Sequence, residues 1–151
     1  MWTCNYCFRR PFRNISEVTV HTAPIILGSL QDADITCLKP IAKLINDSGI
    51  ESDTSDKLSN FLWAKMLYNC TLNPLGAILG VNYGKLTENK YTIEIMNNII
   101  DEIFTVIKAA NYKVEWDRSD EYKKLFYSKL IPDTYNHKSS TLQDIEKKQI
   151  T

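Results

Sequence analysis

The sequence has 151 residues, of which 44% are hydrophobic and 24% charged, and its 18 basic side chains are balanced by 18 acidic ones. This length suffices for one domain with a sizeable core, and the composition is that of a globular protein. Because the charges balance, the protein has no net positive charge that would attract nucleic acid or an anionic membrane surface, so neither is an expected partner. The longest apolar runs, 24–27 and 75–81, are too short to span a bilayer, and no secretory signal is apparent.

The four cysteines, at positions 4, 7, 37 and 70, show no disulfide framework, which favours a reducing, cytoplasmic location. Cys4 and Cys7 have the C-x-x-C spacing of a metal or redox pair. No second pair accompanies them, however, and the nearest histidine is His21. We therefore expect no metal site, and residues 1–16 remain unassigned.

Residues 17–28 alternate polar and apolar positions and then become apolar, which predicts two short strands or a hairpin. Apolar residues at helical spacing predict a helix over 35–47, with Leu38, Ile41, Leu44 and Ile45 on one face. Pro40 fits its first turn, and Gly49 ends it. A short extended link follows. This β-β-α-β order is too small for a stable sheet, so we interpret it as the tail of a larger α/β domain.

Beyond residue 53 the pattern is helical, and the predicted fold class is mainly α. Candidate N-caps at 53–55 precede a first helix that contains Pro74, which predicts a kink near Asn73. A long amphipathic helix is predicted to begin at Thr87 or Glu88. Asn111 is expected to end it in the left-handed conformation.

Two shorter helices are predicted after this point. Ser119 begins one that is ended by Pro132 and buries Tyr122, Leu125, Phe126 and Leu130. Ser140-Thr-Leu-Gln143 fits a capping box for the other, over 141–148. No closing element follows, and we interpret both ends of the chain as truncated.

The most informative feature is a polar ladder on the first of these helices, formed by Lys65, Asn69 and Asn73. Each step of four residues overshoots a full helical turn by ~40°, so the three side chains follow one flank. Their neighbours are almost all apolar, which is typical of a buried helix. Because an unpaired ammonium or amide is costly to bury, we expect polar groups of the protein or of a ligand to face the ladder.

Two motifs carry a resemblance to a known family. Lys65-x-x-x-Asn69-x-x-x-Asn73-Pro-Leu, followed by Gly84-Lys-Leu86, resembles the start of the C-terminal helical domain of ketopantoate reductases (2-dehydropantoate 2-reductases). His137-Lys-Ser-Ser-Thr-Leu-Gln-Asp144 resembles that family's Ser-Ser-x-x-Gln-Asp signature. The resemblance implies that residues 17–52 are a remnant of an NADP-binding Rossmann-like domain. It also implies that residues 53–151 are a C-terminal α-helical substrate domain.

The resemblance implies NADPH-dependent reduction of ketopantoate, a small 2-keto acid, to pantoate on the route to pantothenate and coenzyme A. Lys65 would polarise the keto oxygen and supply its proton, Asn69 and Asn73 would bind substrate oxygens, and Ser140 would bind the carboxylate. Each role is chemically suitable, since a nearby cation stabilises the developing oxyanion and amides both donate and accept. Plain structural roles are the alternatives: Lys65 reaching past its neighbours to solvent, the two asparagines bonding nearby backbone, and Ser140 only capping.

Two departures from the family pattern bear on activity. The family continues beyond the Gln-Asp signature to Thr-Glu-Ile-Asp, whose Glu is catalytic, whereas this chain ends at Thr151. The five glycines do not have the spacing of the Gly-x-Gly-x-x-Gly turn that binds dinucleotides. We therefore expect no cofactor-binding residues in this chain, although the family resemblance implies NADP(H) as the cofactor. The isolated chain is therefore expected to be an inactive fragment. The alternative is a non-catalytic helical interaction module that keeps the fold and either self-associates, as a homodimer, or docks a partner.

Overall fold

The computed structural model describes residues 2–3, 6–12, 15–21, 24–30 and 33–150, and only the backbone up to residue 21. The chain divides into two compact units, Met1–Leu62 and Trp63–Thr151. The predicted C-x-x-C pair lies outside the described side chains. Among the described residues, no three His, Cys, Asp or Glu side chains are grouped to hold a metal ion. No helix in the described ranges is long and apolar enough to cross a membrane.

The first unit contains two small sheets. Strands β1 (Trp2–Thr3), β4 (Ile25–Leu27) and β5 (Ser52–Thr54) form one, with β4 antiparallel to β1 and parallel to β5. Strands β2 (Tyr6–Phe12) and β3 (Ile15–His21) form the other, as an antiparallel pair. Two strands therefore lie in the region predicted, but a hairpin between them is wrong. Alternating polarity identifies a strand but not its partner. The partner of β3 is β2, which lies within residues 1–16, for which the sequence analysis made no assignment.

Helix α1 (Lys39–Asp47) follows a short 3-10 turn, Thr36–Leu38, and carries Pro40 in its first turn as predicted. Gly49 has φ +89° and ends the helix, and its N–H donates to Asn46 O at 2.9 Å. The next N–H, of Ile50, donates to Ile45 O at 3.3 Å. These two bonds make a Schellman motif, which confirms the predicted helix end.

The apolar face of α1 is only partly covered. Ile41 and Leu44 are 49% and 71% exposed, and only Ala42 is buried. The Ser52 hydroxyl donates to Ala42 O at 2.6 Å, which ties α1 to β5 on this side. Periodicity thus predicted the helix correctly, while burial along its apolar face is uneven.

Helix α2 (Leu58–Leu79) carries the polar ladder and contains Pro74, as predicted. The kink near Asn73 stays a prediction. Two of the three candidate N-caps are wrong because residues 53 and 54 belong to β5. The third, Ser55, accepts a hydrogen bond from Lys57 N–H at 3.0 Å just before the helix begins.

Helix α3 (Lys90–Ala109) begins later than predicted because Gly84–Glu88 forms a 3-10 helix. The N-cap is Asn89, whose side chain accepts from Tyr91 N–H at 2.9 Å. At the other end Asn111 has φ +55° and its N–H donates to Lys108 O, which confirms the predicted left-handed termination.

The next helical segment runs through Pro132 and does not end there as predicted. It consists of α4 (Ser119–Leu125), a π-helical stretch Phe126–Leu130, and α5 (Ile131–Asp133). Ile131 N–H donates to Phe126 O, five residues back. Such a wide turn accommodates proline, which lacks an N–H and crowds the preceding turn.

A single apolar cluster holds the second unit together. It combines side chains from α2, α3 and the α4–α5 segment, and the predicted core residues Tyr122 and Phe126 are fully buried in it. Its buried members are Leu67, Leu72, Tyr83, Leu86, Met96, Ile100, Ile107, Tyr122, Phe126 and Ile131. The final helix, α6 (Ser140–Glu146), buries Leu142. The predicted mainly α fold class is confirmed.

Candidate functional site

The polar ladder lies on one flank of α2, and all three of its side chains are half-buried. Apolar neighbours on the same helix, Leu67 and Leu72, are fully buried at 0% exposure. Lys65, Asn69 and Asn73 therefore stand at the margin of the apolar core. Each of the three side chains is partly covered by protein and partly exposed.

Asn73 is held by a residue that the sequence analysis did not single out. The hydroxyl of Tyr83 donates to Asn73 Oδ1 at 2.5 Å, and Tyr83 itself is only 3% exposed. The sequence offers little to identify this contact, because Tyr83 lies ten residues further along the chain, in the turn after α2. Its position directly before the Gly84-Lys-Leu86 motif is the one hint.

Tyr83 also contacts the segment that leads into the second motif. Its ring packs edge-on against the His137 ring, with centroids 5.0 Å apart and planes at 63°. Its N–H donates to His137 O at 3.1 Å, and the adjacent Gly84 N–H donates to Tyr135 O at 2.9 Å. Burial lowers the pKa of His137, which favours the neutral imidazole at neutral pH. The structure thus brings the two sequence motifs together through Tyr83.

Gly84 is required where these two segments meet. A Cβ at this position would lie 2.1–2.3 Å from ring atoms of Tyr135, so a larger residue would force the ring to move. The next motif residue, Lys85, forms an exposed ion pair with Glu88 at 2.9 Å, and Leu86 is fully buried. In this chain the contacts of the Gly-Lys-Leu motif are therefore structural.

The capping box predicted at Ser140 is wrong by one residue. Ser139 is the N-cap of α6: its Oγ accepts from Leu142 N–H at 3.1 Å, and the residue is 2% exposed. Ser140 is the first helical residue and is exposed. Gln143 makes Ser140 the serine that fits the capping box, yet the buried Ser139 takes the role. A ligand role for Ser140 consequently does not compete with capping.

A shallow surface depression elsewhere on the second unit is not part of this arrangement. It is lined by residues of α3 and of the α4 region, namely Asn97, Arg118, Asp120, Lys123, Lys124 and Tyr127. Lys123 is already committed to Asp101, with Nζ at 2.6 and 2.7 Å from its two carboxylate oxygens. Arg118 lies 3.8 Å from a carboxylate oxygen of Glu121, and we assign no site here.

Comparisons with known proteins agree on one family. The model described as ketopantoate reductase PanE/ApbA C terminal matches residues 57–151. A 2-dehydropantoate 2-reductase of Aquifex aeolicus (strain VF5) is 43% identical over 132 residues, which cover 87% of this chain and 43% of that relative. The chain therefore spans about half the length, or less, of the curated relatives it matches.

Solved structures share the fold. The 2-dehydropantoate 2-reductase from Geobacter metallireducens GS-15 gives a TM-score of 0.82 at 18% identity, covering 99% of this chain and 48% of that chain. D-mandelate dehydrogenase with NADH and anilino(oxo)acetate gives 0.81 at 21% identity, with coverage of 99% and 48%. At these identities the likeness is one of fold alone.

Proposed function

Because the chain belongs to the ketopantoate reductase PanE/ApbA C-terminal family, we propose that it is the substrate-binding part of a 2-dehydropantoate 2-reductase. This family match confirms the family that the two sequence motifs predicted. In the proposal, residues 53–151 bind a small 2-keto acid, ketopantoate or a close relative. Residues 17–52 belong to an NADP-binding domain, and the setting is cytoplasmic.

The proposed roles follow from what the reaction requires. Hydride addition to the keto carbon of ketopantoate leaves negative charge on the oxygen, and a fixed cation beside that oxygen stabilises the transition state. Lys65 supplies this cation and then the proton that completes pantoate. Asn69 and Asn73 bind substrate oxygens, and the exposed hydroxyl of Ser140 donates to the carboxylate.

One observation carries the proposal. Three half-buried polar side chains follow one flank of α2, and the last of them, Asn73, is connected through Tyr83 and His137 to the segment that precedes Ser140. Two motifs more than sixty residues apart thereby meet in one unit of the fold. A purely structural role for the ladder does not require this second connection.

The residues present do not fit an NADP site. The five glycines, at 28, 49, 76, 80 and 84, do not have the spacing of a dinucleotide-binding turn. We therefore assign no cofactor residue and propose that the isolated chain binds substrate without turning it over. In a complete reductase the nicotinamide cofactor would supply the hydride.

Calorimetric titration of the 151-residue chain with ketopantoate tests the proposal. We expect saturable binding that Lys65→Ala weakens about tenfold or more, since this substitution removes a charged hydrogen bond worth about 1.5–3 kcal/mol. Lys124→Ala is the matched control, because it removes an equal charge from an exposed position on α4. Equal binding by wild type and Lys65→Ala would refute the proposed role of Lys65.

The second candidate function, a non-catalytic module that forms a homodimer, is distinguished by light scattering during size-exclusion chromatography. A dimer whose formation is independent of ketopantoate, together with no calorimetric binding, would favour it. A parallel titration with an aryl 2-keto acid tests the substrate class, because one neighbour of the same fold is a D-mandelate dehydrogenase.

A further inference from the structure

We propose that Tyr83 is a positioning residue: it fixes the amide of Asn73 and the approach to Ser140 so that both face one small acid. This inference rests on the proposed function and deepens it. Tyr83 is 3% exposed, so it does not itself offer a surface to a ligand. Any effect it has on binding must pass through the groups that it holds.

The first of these groups is the Asn73 amide. A hydrogen bond of 2.5 Å from the Tyr83 hydroxyl to Oδ1 restricts rotation of the amide about its last side-chain bond. With the oxygen engaged, both N–H bonds of Nδ2 remain for another acceptor. The keto and carboxylate oxygens of a 2-keto acid are acceptors only, so this orientation presents Asn73 to those oxygens as a donor.

The second group is the backbone before α6. Tyr83 N–H bonds His137 O at 3.1 Å, and the Tyr83 ring packs on the His137 ring. The N-cap Ser139 lies two residues further on and is buried, and Ser140 follows it. One side chain and one peptide group therefore connect the end of the polar ladder to the start of α6.

The chain contains a matched comparison for this contact. Tyr127 donates to Asn97 Oδ1 at 2.9 Å, which is the same kind of tyrosine–asparagine bond in the same unit. Neither residue belongs to the polar ladder or contacts the segment before Ser140 in the described hydrogen bonds. Loss of either hydroxyl should loosen the fold similarly, whereas only Tyr83→Phe should affect the ligand.

The experiment compares the full chain with Tyr83→Phe, Tyr127→Phe, Asn73→Ala and the Tyr83→Phe/Asn73→Ala double variant. Ketopantoate affinity is measured by calorimetry, and the side-chain amide signals of Asn73 are followed by ¹⁵N NMR without ligand. We expect Tyr83→Phe to shift the Asn73 amide signals and weaken binding about fivefold, which corresponds to about 1 kcal/mol. Tyr127→Phe should do neither. In the Asn73→Ala background, Tyr83→Phe should weaken binding by less than twofold.

Unchanged Asn73 amide signals in Tyr83→Phe would overturn the inference, as would equal weakening of binding by Tyr127→Phe. Should wild type fail to bind ketopantoate, the proposed function fails, and the amide signals alone then decide whether Tyr83 positions Asn73. If Tyr83→Phe does not fold, the hydrogen bond is tested from its other partner, with Asn73→Ala. Unchanged chemical shifts of Tyr83 in that variant would overturn the inference.

Discussion

Replacing Tyr122 by phenylalanine should stabilise this protein, although it removes a hydroxyl from the centre of the core. Tyr122 is 1% exposed and packs against Trp116 and Phe126, with ring centroids 4.8 and 5.6 Å away. Within the described residues its hydroxyl has no hydrogen-bond partner. Burial raises the pKa of Tyr122 far above its usual value, so the group stays neutral.

The magnitude follows from two opposing terms. Burying an unsatisfied polar group costs about 1–3 kcal/mol, and Tyr122→Phe relieves this cost. The void left by one hydroxyl costs only a few tenths of a kcal/mol at about 24 cal/mol per Å³. The expected net gain is about 1 kcal/mol. Tyr127→Phe should have the opposite sign, a loss of about 1 kcal/mol, because it breaks the bond to Asn97 at 2.9 Å.

Urea unfolding of both variants, followed by circular dichroism, measures these changes. For a slope of about 2 kcal/mol/M, the midpoint should rise by about 0.5 M for Tyr122→Phe and fall by about 0.5 M for Tyr127→Phe. Both variants replace tyrosine by phenylalanine in one helical segment, so a change in helix propensity should contribute almost equally to the two unfolding free energies. Loss of stability in both variants would refute the reasoning about the unpaired hydroxyl.

Three further predictions concern the site's supports and surface. Gly84→Ala should destabilise the chain by about 1–3 kcal/mol in urea, because the new Cβ would overlap an aromatic ring. Ser139→Ala should cost about 1 kcal/mol of unfolding free energy through loss of the N-cap, whereas Ser140→Ala should leave stability nearly unchanged and weaken ketopantoate binding in calorimetry. The hydrogen bond from Lys123 lowers the pKa of Asp101 below 3.8, so its stabilisation is complete above that pH and is lost as pH falls through the lowered value. Because Asp101 is half-exposed, Asp101→Asn should cost only about 0.5 kcal/mol at pH 7, and its difference from wild type in unfolding free energy should shrink as the pH falls below 3.8.

Local features of this fold could be predicted from sequence because a few adjacent residues determine them. The helix ends at Gly49 and Asn111 both adopt the left-handed backbone that was expected. Glycine reaches that conformation without a Cβ clash, and asparagine tolerates it better than most residues. Proline in the first turn of α1 follows the same kind of local rule.

Features that depend on distant residues could not be predicted. The partner of β3 lies in a segment with no recognisable pattern, and Ile41 and Leu44 on the apolar face of α1 are exposed despite their helical spacing. The choice of Ser139 over Ser140 as N-cap depends on which serine is buried. Burial is a tertiary property that short motifs do not contain.

The candidate site likewise has one part that the local sequence predicts and one part that depends on distant residues. The regular spacing of the polar ladder was visible in the sequence because helical geometry converts it directly into one flank. The contact between Tyr83 and Asn73 was not, since it depends on how the turn after α2 folds back. The proposed ligand roles of Lys65, Asn69, Asn73 and Ser140 remain predictions.

A crystal structure of the 151-residue chain with bound ketopantoate tests the central claim most directly. We predict that the keto oxygen lies within about 3 Å of Lys65 Nζ, the range of a charge-assisted hydrogen bond, with Asn73 Nδ2 donating to the same molecule. A ligand bound away from α2, with the Lys65 amine directed into solvent, would contradict the account.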